Sequence, residues 1–273
     1  MSSSRTELIK LQSSVIINAI ISQPDSLAEH ENRPTVVFLH FWGGSVRTWS
    51  LVKPHISAKY QTVALDFRGW GNSTGPDDPE AYSIAAQAED VEATIRAIGL
   101  RKTALVGLSM GAKVAQLVAS RMCSGAEISS QAKTLVGLVL ISPAPLTPLC
   151  LPPDMRQQQL HAYDNRESAA FVAKLVLTAS FHDRDLPEFV VDDMIRGSKW
   201  ARGAWPAYAM GEDVSGEVAE IAVPVLVLAA AKDLVEPIKR VKEAAGFEWV
   251  GTSSPLDVPE AVAEHIVQFL DAL

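Results

Sequence analysis

The stretch Ala104-Leu105-Val106-Gly107-Leu108-Ser109-Met110-Gly111-Ala112-Lys113-Val114-Ala115 constrains this chain more than any other. Its first part is apolar and rich in branched residues, which predicts a buried strand over 102–106. Gly107-x-Ser109-x-Gly111 follows at once, and helix-forming residues then run over 110–120. A strand that passes straight into a helix needs a sharp, strained apex. The residues two before and two after must lack bulk so that strand and helix can approach. Such a turn lifts Ser109 Oγ clear of the backbone and aims the free N–H groups of the helix start at whatever binds there. The plainer alternative is a Gly-Ser turn that only joins two elements; the five-residue pattern alone does not separate the two.

The flanking sequence says what fold would hold this turn. Short apolar runs at 8–11 and 14–22 predict an antiparallel edge hairpin. Thr35-Val36-Val37-Phe38-Leu39-His40 is a continuous apolar run, as expected of a central parallel strand. A loop, Phe41-Trp42-Gly43-Gly44-Ser45, follows it, and 46–56 has helical character. The next buried strand is 62–65, ending in Asp66-Phe67-Arg68-Gly69-Trp70-Gly71-Asn72-Ser73. Apolar residues recur at helical spacing over 84–100, with Glu89 and Asp90 expected on the wet side. Further strands are predicted at 135–141, 223–228 and 247–250, and helices at 236–245 and 259–273. Repeated alternation of strand and helix predicts an α/β fold: a mostly parallel central sheet flanked by helices. Between 143 and 216 no strand is evident, so a helical cap is expected after the sixth strand. The core is then 1–142 and 217–273. In such sheets sites form at the carboxyl ends of the strands, which would bring Ser109, Trp42 and Asp233 to one rim.

Composition narrows the partners. The chain has 273 residues and a formal net charge of −8, with no long Lys/Arg cluster, so neither nucleic acid nor an anionic membrane is expected. The two cysteines, Cys123 and Cys150, suit free thiols in a reducing compartment, a single bridge being the other option. The start of the sequence carries no basic-then-apolar leader pattern, and a cytoplasmic protein is the expectation. No His/Cys/Asp set has metal spacing and no Gly-rich phosphate loop follows the first central strand; no metal and no cofactor are expected.

Five motifs in order carry a resemblance over nearly the whole chain: His40-x-Trp42-Gly43, Asp66-x-Arg68-Gly69-x-Gly71-x-Ser73, Gly107-x-Ser109-x-Gly111, Val223-Pro224-x-Leu226 through Asp233, and Pro255-Leu256-x-x-Pro259-Glu260. The sequence resembles the α/β-hydrolases, and among them the small capped esterases and lactonases. The resemblance implies a serine hydrolase of a carboxylic ester or lactone. Ser109 would be the nucleophile, the backbone N–H groups of Met110 and Trp42 the oxyanion hole, and Asp233 the acid that orients a histidine. Phe41 stands where the family usually has glycine. Asp66 and Arg68 would be structural. The aromatic and aliphatic supply of the cap, including Phe171, Leu175, Phe181, Trp200 and Trp205, with Trp42, predicts an apolar acyl part.

One member of the expected set is missing. The family's histidine precedes the Pro-Leu-x-x-Pro-Glu segment, and Thr252 stands there. A threonine takes no proton near neutral pH. The histidines elsewhere are His30, His40, His55, His161, His182 and His265. His40 is expected to brace the loop after the first central strand, and His182 is the better placed of the two cap histidines. The alternative is therefore a catalytically impaired or non-hydrolytic member: a ligand-binding protein, lyase or cyclase.

Overall fold

The structure, a computed structural model, describes residues 3–24, 32–124, 134–178, 181, 185–218, 220–230, 249–252 and 254–273. Its strands are β1 (Ser3–Lys10), β2 (Ile16–Gln23), β3 (Thr35–Leu39), β4 (Thr62–Leu65), β5 (Lys102–Leu108), β6 (Thr134–Ile141), β7 (Val225–Ala230) and β8 (Trp249–Thr252). They form one sheet in the order β1-β2-β4-β3-β5-β6-β7-β8. β1 pairs antiparallel with β2, and β2 antiparallel with β4; every later pairing is parallel. β3 and β4 are buried at every position, which is why they read as unbroken apolar runs. The edge hairpin is longer than its apolar residues suggest, because β1 is mostly exposed and its polar residues pair as well as apolar ones.

The helices are α1 (Lys53–Ser57), α2 (Ile84–Ile98), α3 (Met110–Ser124), α4 (Pro153–Leu160), α5 (Arg166–Val172), α6 (Glu188–Arg196), α7 (Lys199–Ala207) and α8 (Pro259–Asp271). The helical stretch expected over 46–56 is split. A 3-10 turn at Val46–Trp49, capped by Ser45, comes first, and α1 starts afresh with Pro54 in its first turn. α2 is capped by the Ser83 hydroxyl and stopped by Gly99 at φ 77°. The helix expected over 236–245 lies outside the described residues, as do 247–248 of the strand expected over 247–250; its last two residues open β8, which runs on to Thr252.

Asp90 departs from expectation. Glu89 is exposed, but Asp90 is 3% exposed and faces the core side of α2. It accepts two bonds from Arg68, Nε to Oδ2 at 2.6 Å and Nη2 to Oδ1 at 2.7 Å. The Arg68 guanidinium also donates to the carbonyls of Ala81 and Ala86, at 2.6 and 3.0 Å. Asp66 is equally committed. Its buried carboxylate accepts from Asn18 Nδ2 and from the N–H groups of Val46 and Asn72, at 2.8, 2.7 and 2.8 Å. Both residues brace the loop after β4, as a structural role requires.

Between β6 and β7 lie α4 to α7 and a π-helical turn at Ala173–Leu177, with no strand among the described residues there. The two ends of this segment bond to each other: Leu149 N–H to Met210 O, and Val214 N–H to Leu146 O, both at 2.9 Å. Both ends are also held by α3. Lys113, fully buried, donates to the carbonyls of Glu212 at 2.6 Å and Thr147 at 3.4 Å. Phe171 and Leu175 do not pack inward as their apolar character suggests; they are 61% and 42% exposed. Cys123 and Cys150 are both free thiols.

Removing one partner of a buried ion pair strands the other in a low dielectric, at a cost of about 3–5 kcal/mol. Arg68→Ala should lower the unfolding free energy in urea by that amount; a loss under about 1 kcal/mol would show the pair to be no more than a surface contact.

Candidate active site

The carboxyl ends of the parallel strands define one rim. Leu39 pairs with Gly107, Leu108 with Ile141, Ile141 with Leu228, and Ala230 with Thr252. Ser109 stands one residue past the end of β5 and Trp42 three past the end of β3. Thr252 is the last residue of β8. Asp233 lies outside the described residues.

Ser109 is half-buried and has φ 54°, a left-handed conformation that L-residues avoid at a cost of about 1–3 kcal/mol. The surrounding backbone holds it there. Its N–H donates to Ile141 O at 3.0 Å, and its carbonyl accepts from the N–H groups of Ala112, Lys113 and Ala144, at 2.9, 3.2 and 3.2 Å. The two glycines are required by close approach. A Cβ on Gly107 would lie 2.5 Å from Gly111 O, and one on Gly111 would lie 2.5 Å from His40 O. Gly111 thus seats the start of α3 directly on the end of β3, which is where the loop carrying Trp42 begins.

That loop is pinned one peptide at a time. His40 is fully buried. Its Nε2 accepts from Phe67 N–H at 3.0 Å, so the proton is on Nδ1, which donates to Phe41 O at 2.7 Å. Gly44 N–H donates to the same carbonyl at 2.9 Å. Phe41 C=O and Trp42 N–H share one planar trans peptide, so fixing the carbonyl fixes the direction of the N–H. Neither Trp42 N–H nor Met110 N–H is hydrogen-bonded to any described residue. Burial pushes His40 below its ordinary value, with Asp66 opposing, and keeps it neutral.

Beyond Trp42 the grip comes from the helical segment. Tyr163 donates its hydroxyl to Trp42 O at 2.8 Å, and its ring lies 4.1 Å from the Trp42 ring. Trp42 Nε1 donates to Arg202 O at 3.0 Å, and Arg202 Nη1 to Tyr163 O at 2.5 Å. Ser45 Oγ donates to Asp193 of α6 at 2.6 Å, and Arg47 Nε to the same carboxylate at 3.1 Å. Tyr163, Arg202 and Asp193 were not legible as site-supporting residues. Their partners lie far away in sequence and no local pattern marks them.

No described histidine is hydrogen-bonded to Ser109. His40 is committed to the loop, His161 is exposed and bonded to Asp164 at 2.8 Å, His55 is exposed, and His265 is half-buried on α8. His30 and His182 lie outside the described residues. Lys113, one turn after Ser109, has its ammonium directed at the Glu212 and Thr147 carbonyls.

The model of the alpha/beta hydrolase family matches residues 36–265, and the chain belongs to that family. Among known proteins it is similar to the proposed carbamate hydrolase RutD of Klebsiella pneumoniae (strain 342), 29% identical over 220 residues that cover 78% of this chain and 79% of the relative. Among solved structures it is similar to a hydrolase from Pseudomonas aeruginosa PA01, with a TM-score of 0.77 and 21% identity over 97% of this chain and 98% of that one. The enol-lactonase from Burkholderia xenovorans LB400 matches with a TM-score of 0.76 and 19% identity over 94% and 97%. These structural likenesses bear on the fold.

The state of His40 has a measurable consequence. Its folded pKa lies below the ordinary 6.5, so the unfolded chain binds the proton more tightly, and stability is lost as pH falls below about 6.5. His40→Ala removes that contribution. The stability gap between wild type and variant should therefore narrow from about pH 8 to about pH 5 in urea titrations; a gap that widens on acidification would contradict a neutral, buried His40.

Proposed function

We propose that the protein is a serine hydrolase of a carboxylic ester or lactone with an apolar acyl part. The observation that carries this reading is Ser109 at φ 54° on the strand rim, where Gly111 seats the helix start on the end of β3, with the N–H groups of Met110 and Trp42 engaged by no described residue. Ser109 Oγ attacks the carbonyl carbon, and the N–H groups of Met110 and Trp42 receive the negative charge that develops on oxygen. A donor of this kind is worth roughly 3 kcal/mol in the transition state. Asp233, three residues beyond the end of β7, is the acid that orients the base. The 143–216 segment acts as the cap, and the Trp42 and Tyr163 rings suit an apolar group beneath it. The esterase and enol-lactonase among the structural neighbours are in keeping with this chemistry. Two cysteines, both free thiols, fit a cytoplasmic setting.

A second reading is favoured by one specific residue. Thr252 occupies the position of the expected histidine, and no described histidine bonds Ser109. On this reading the chain is an impaired or non-hydrolytic member of the family that binds its ligand without consuming it.

A fluorophosphonate probe separates the two. Hydrolysis predicts covalent labelling of Ser109, abolished in Ser109→Ala together with turnover of p-nitrophenyl esters of short to medium acyl length. Absence of labelling and of turnover across those chain lengths, with ligands raising the melting temperature unconsumed, would establish the second reading.

A further inference from the structure

Trp42, Arg202 and Tyr163 form a closed hydrogen-bonded circuit. Trp42 Nε1 donates to Arg202 O, Arg202 Nη1 donates to Tyr163 O, and Tyr163 OH donates to Trp42 O, at 3.0, 2.5 and 2.8 Å. Its members come from three places: the loop after β3, the turn between α4 and α5, and α7. Trp42 is thereby held on both sides of its Cα. The peptide before it is fixed by His40 and Gly44 through the Phe41 carbonyl, and the peptide after it by Tyr163. Gly43 closes the fit: it has φ 97°, and a Cβ there would lie 2.5 Å from the Tyr163 hydroxyl. Two planar peptides that share one Cα have only φ and ψ of Trp42 between them. With both planes held, the Trp42 N–H has one direction. Burial pushes the Tyr163 phenol up, so it remains a neutral donor at any working pH.

We propose that Tyr163 is a positioning residue for the oxyanion site, and that its circuit with Trp42 and Arg202 completes that site only when the 143–216 segment is seated on the loop after β3. The inference rests on the reading of Trp42 N–H as an oxyanion donor. The segment between β6 and β7 thereby also sets the direction of a donor on the rim. Substrate that seats the segment would therefore be the substrate that meets an aligned donor. A carbonyl compound too small to touch the segment would meet a looser one.

The test compares wild type, Tyr163→Phe, Arg202→Gln and Tyr208→Phe. Tyr208 is the control. It joins the same segment to the core elsewhere, accepting from Tyr82 N–H at 3.0 Å and donating to Pro79 O at 2.9 Å. With p-nitrophenyl butyrate, Tyr163→Phe should lose about 10- to 100-fold in kcat with KM nearly unchanged, less than the roughly 100- to 1,000-fold of deleting a donor outright. Its affinity for butylboronic acid, whose tetrahedral anionic serine adduct sets a boron-bound oxygen where the oxyanion would form, should fall by a similar factor. Arg202→Gln should fall in the same direction by less, and it stands as the second variant if Tyr163→Phe does not fold. Tyr208→Phe should keep kcat and boronate affinity within about twofold whatever its melting temperature. Equal losses in the Tyr163 and Tyr208 variants, or a Tyr163→Phe enzyme that matches wild type, would overturn the inference while leaving the hydrolase reading intact. A wild-type protein that neither turns over esters nor labels at Ser109 would overturn both.

Discussion

The rest of the structure depends on one backbone contact, the seating of Gly111 on the carbonyls that end β3. That contact exists because residue 111 has no side chain. It brings the first turn of α3 against the strand from which the Trp42 loop departs. It also leaves Ser109 little choice but the left-handed conformation, with its carbonyl and N–H tied to Ala112, Lys113, Ala144 and Ile141. The strain at one residue is small beside the sheet that enforces it. β5 lies between β3 and β6 in the middle of the sheet, and the buried runs of all three hold the turn in place. A serine placed this way is half-buried, with its N–H and carbonyl both tied to the surrounding backbone.

Around that contact the polar groups are spent on position. His40 is neutral and fully bonded, Asp66 accepts from two backbone N–H groups and a side-chain amide, and Arg68 is paired with Asp90 and two carbonyls. Each would be costly to bury without its partners. Together they fix the loops after β3 and β4. The helical segment between β6 and β7 is joined to the same loops through Asp193, Tyr163 and Arg202 and to α3 through Lys113. The N–H groups of Trp42 and Met110 have no hydrogen-bond partner among the described residues. They are the groups through which the proposed chemistry would act.

The sequence made the frame legible and the polar wiring illegible. β3 and β4 are buried throughout and read as apolar runs, and the glycines around Ser109 announce a strand–helix turn, because burial on both faces and close backbone approach leave local marks. His40 stands one residue past the end of β3, where a bracing role is expected, and the structural role of Asp66, one residue past β4, follows from the family resemblance. Asp90 was misplaced on the wet side, because helical spacing alone cannot tell a solvated carboxylate from one whose partner, Arg68, lies 22 residues earlier. Tyr163 and Arg202 left no mark at all; their bonds to Trp42 span 121 and 160 residues. Thr252, the last residue of β8, is legible as a side chain that takes no proton near neutral pH.

The central claim is that Ser109 and two backbone N–H groups form one prepared site. A crystal structure of the protein with butylboronic acid bonded to Ser109 Oγ tests it most directly. The account predicts one boronate oxygen about 2.7–3.1 Å from both Trp42 N and Met110 N, with Ser109 still at positive φ. A boronate oxygen turned to solvent, bonded to neither nitrogen, would contradict it.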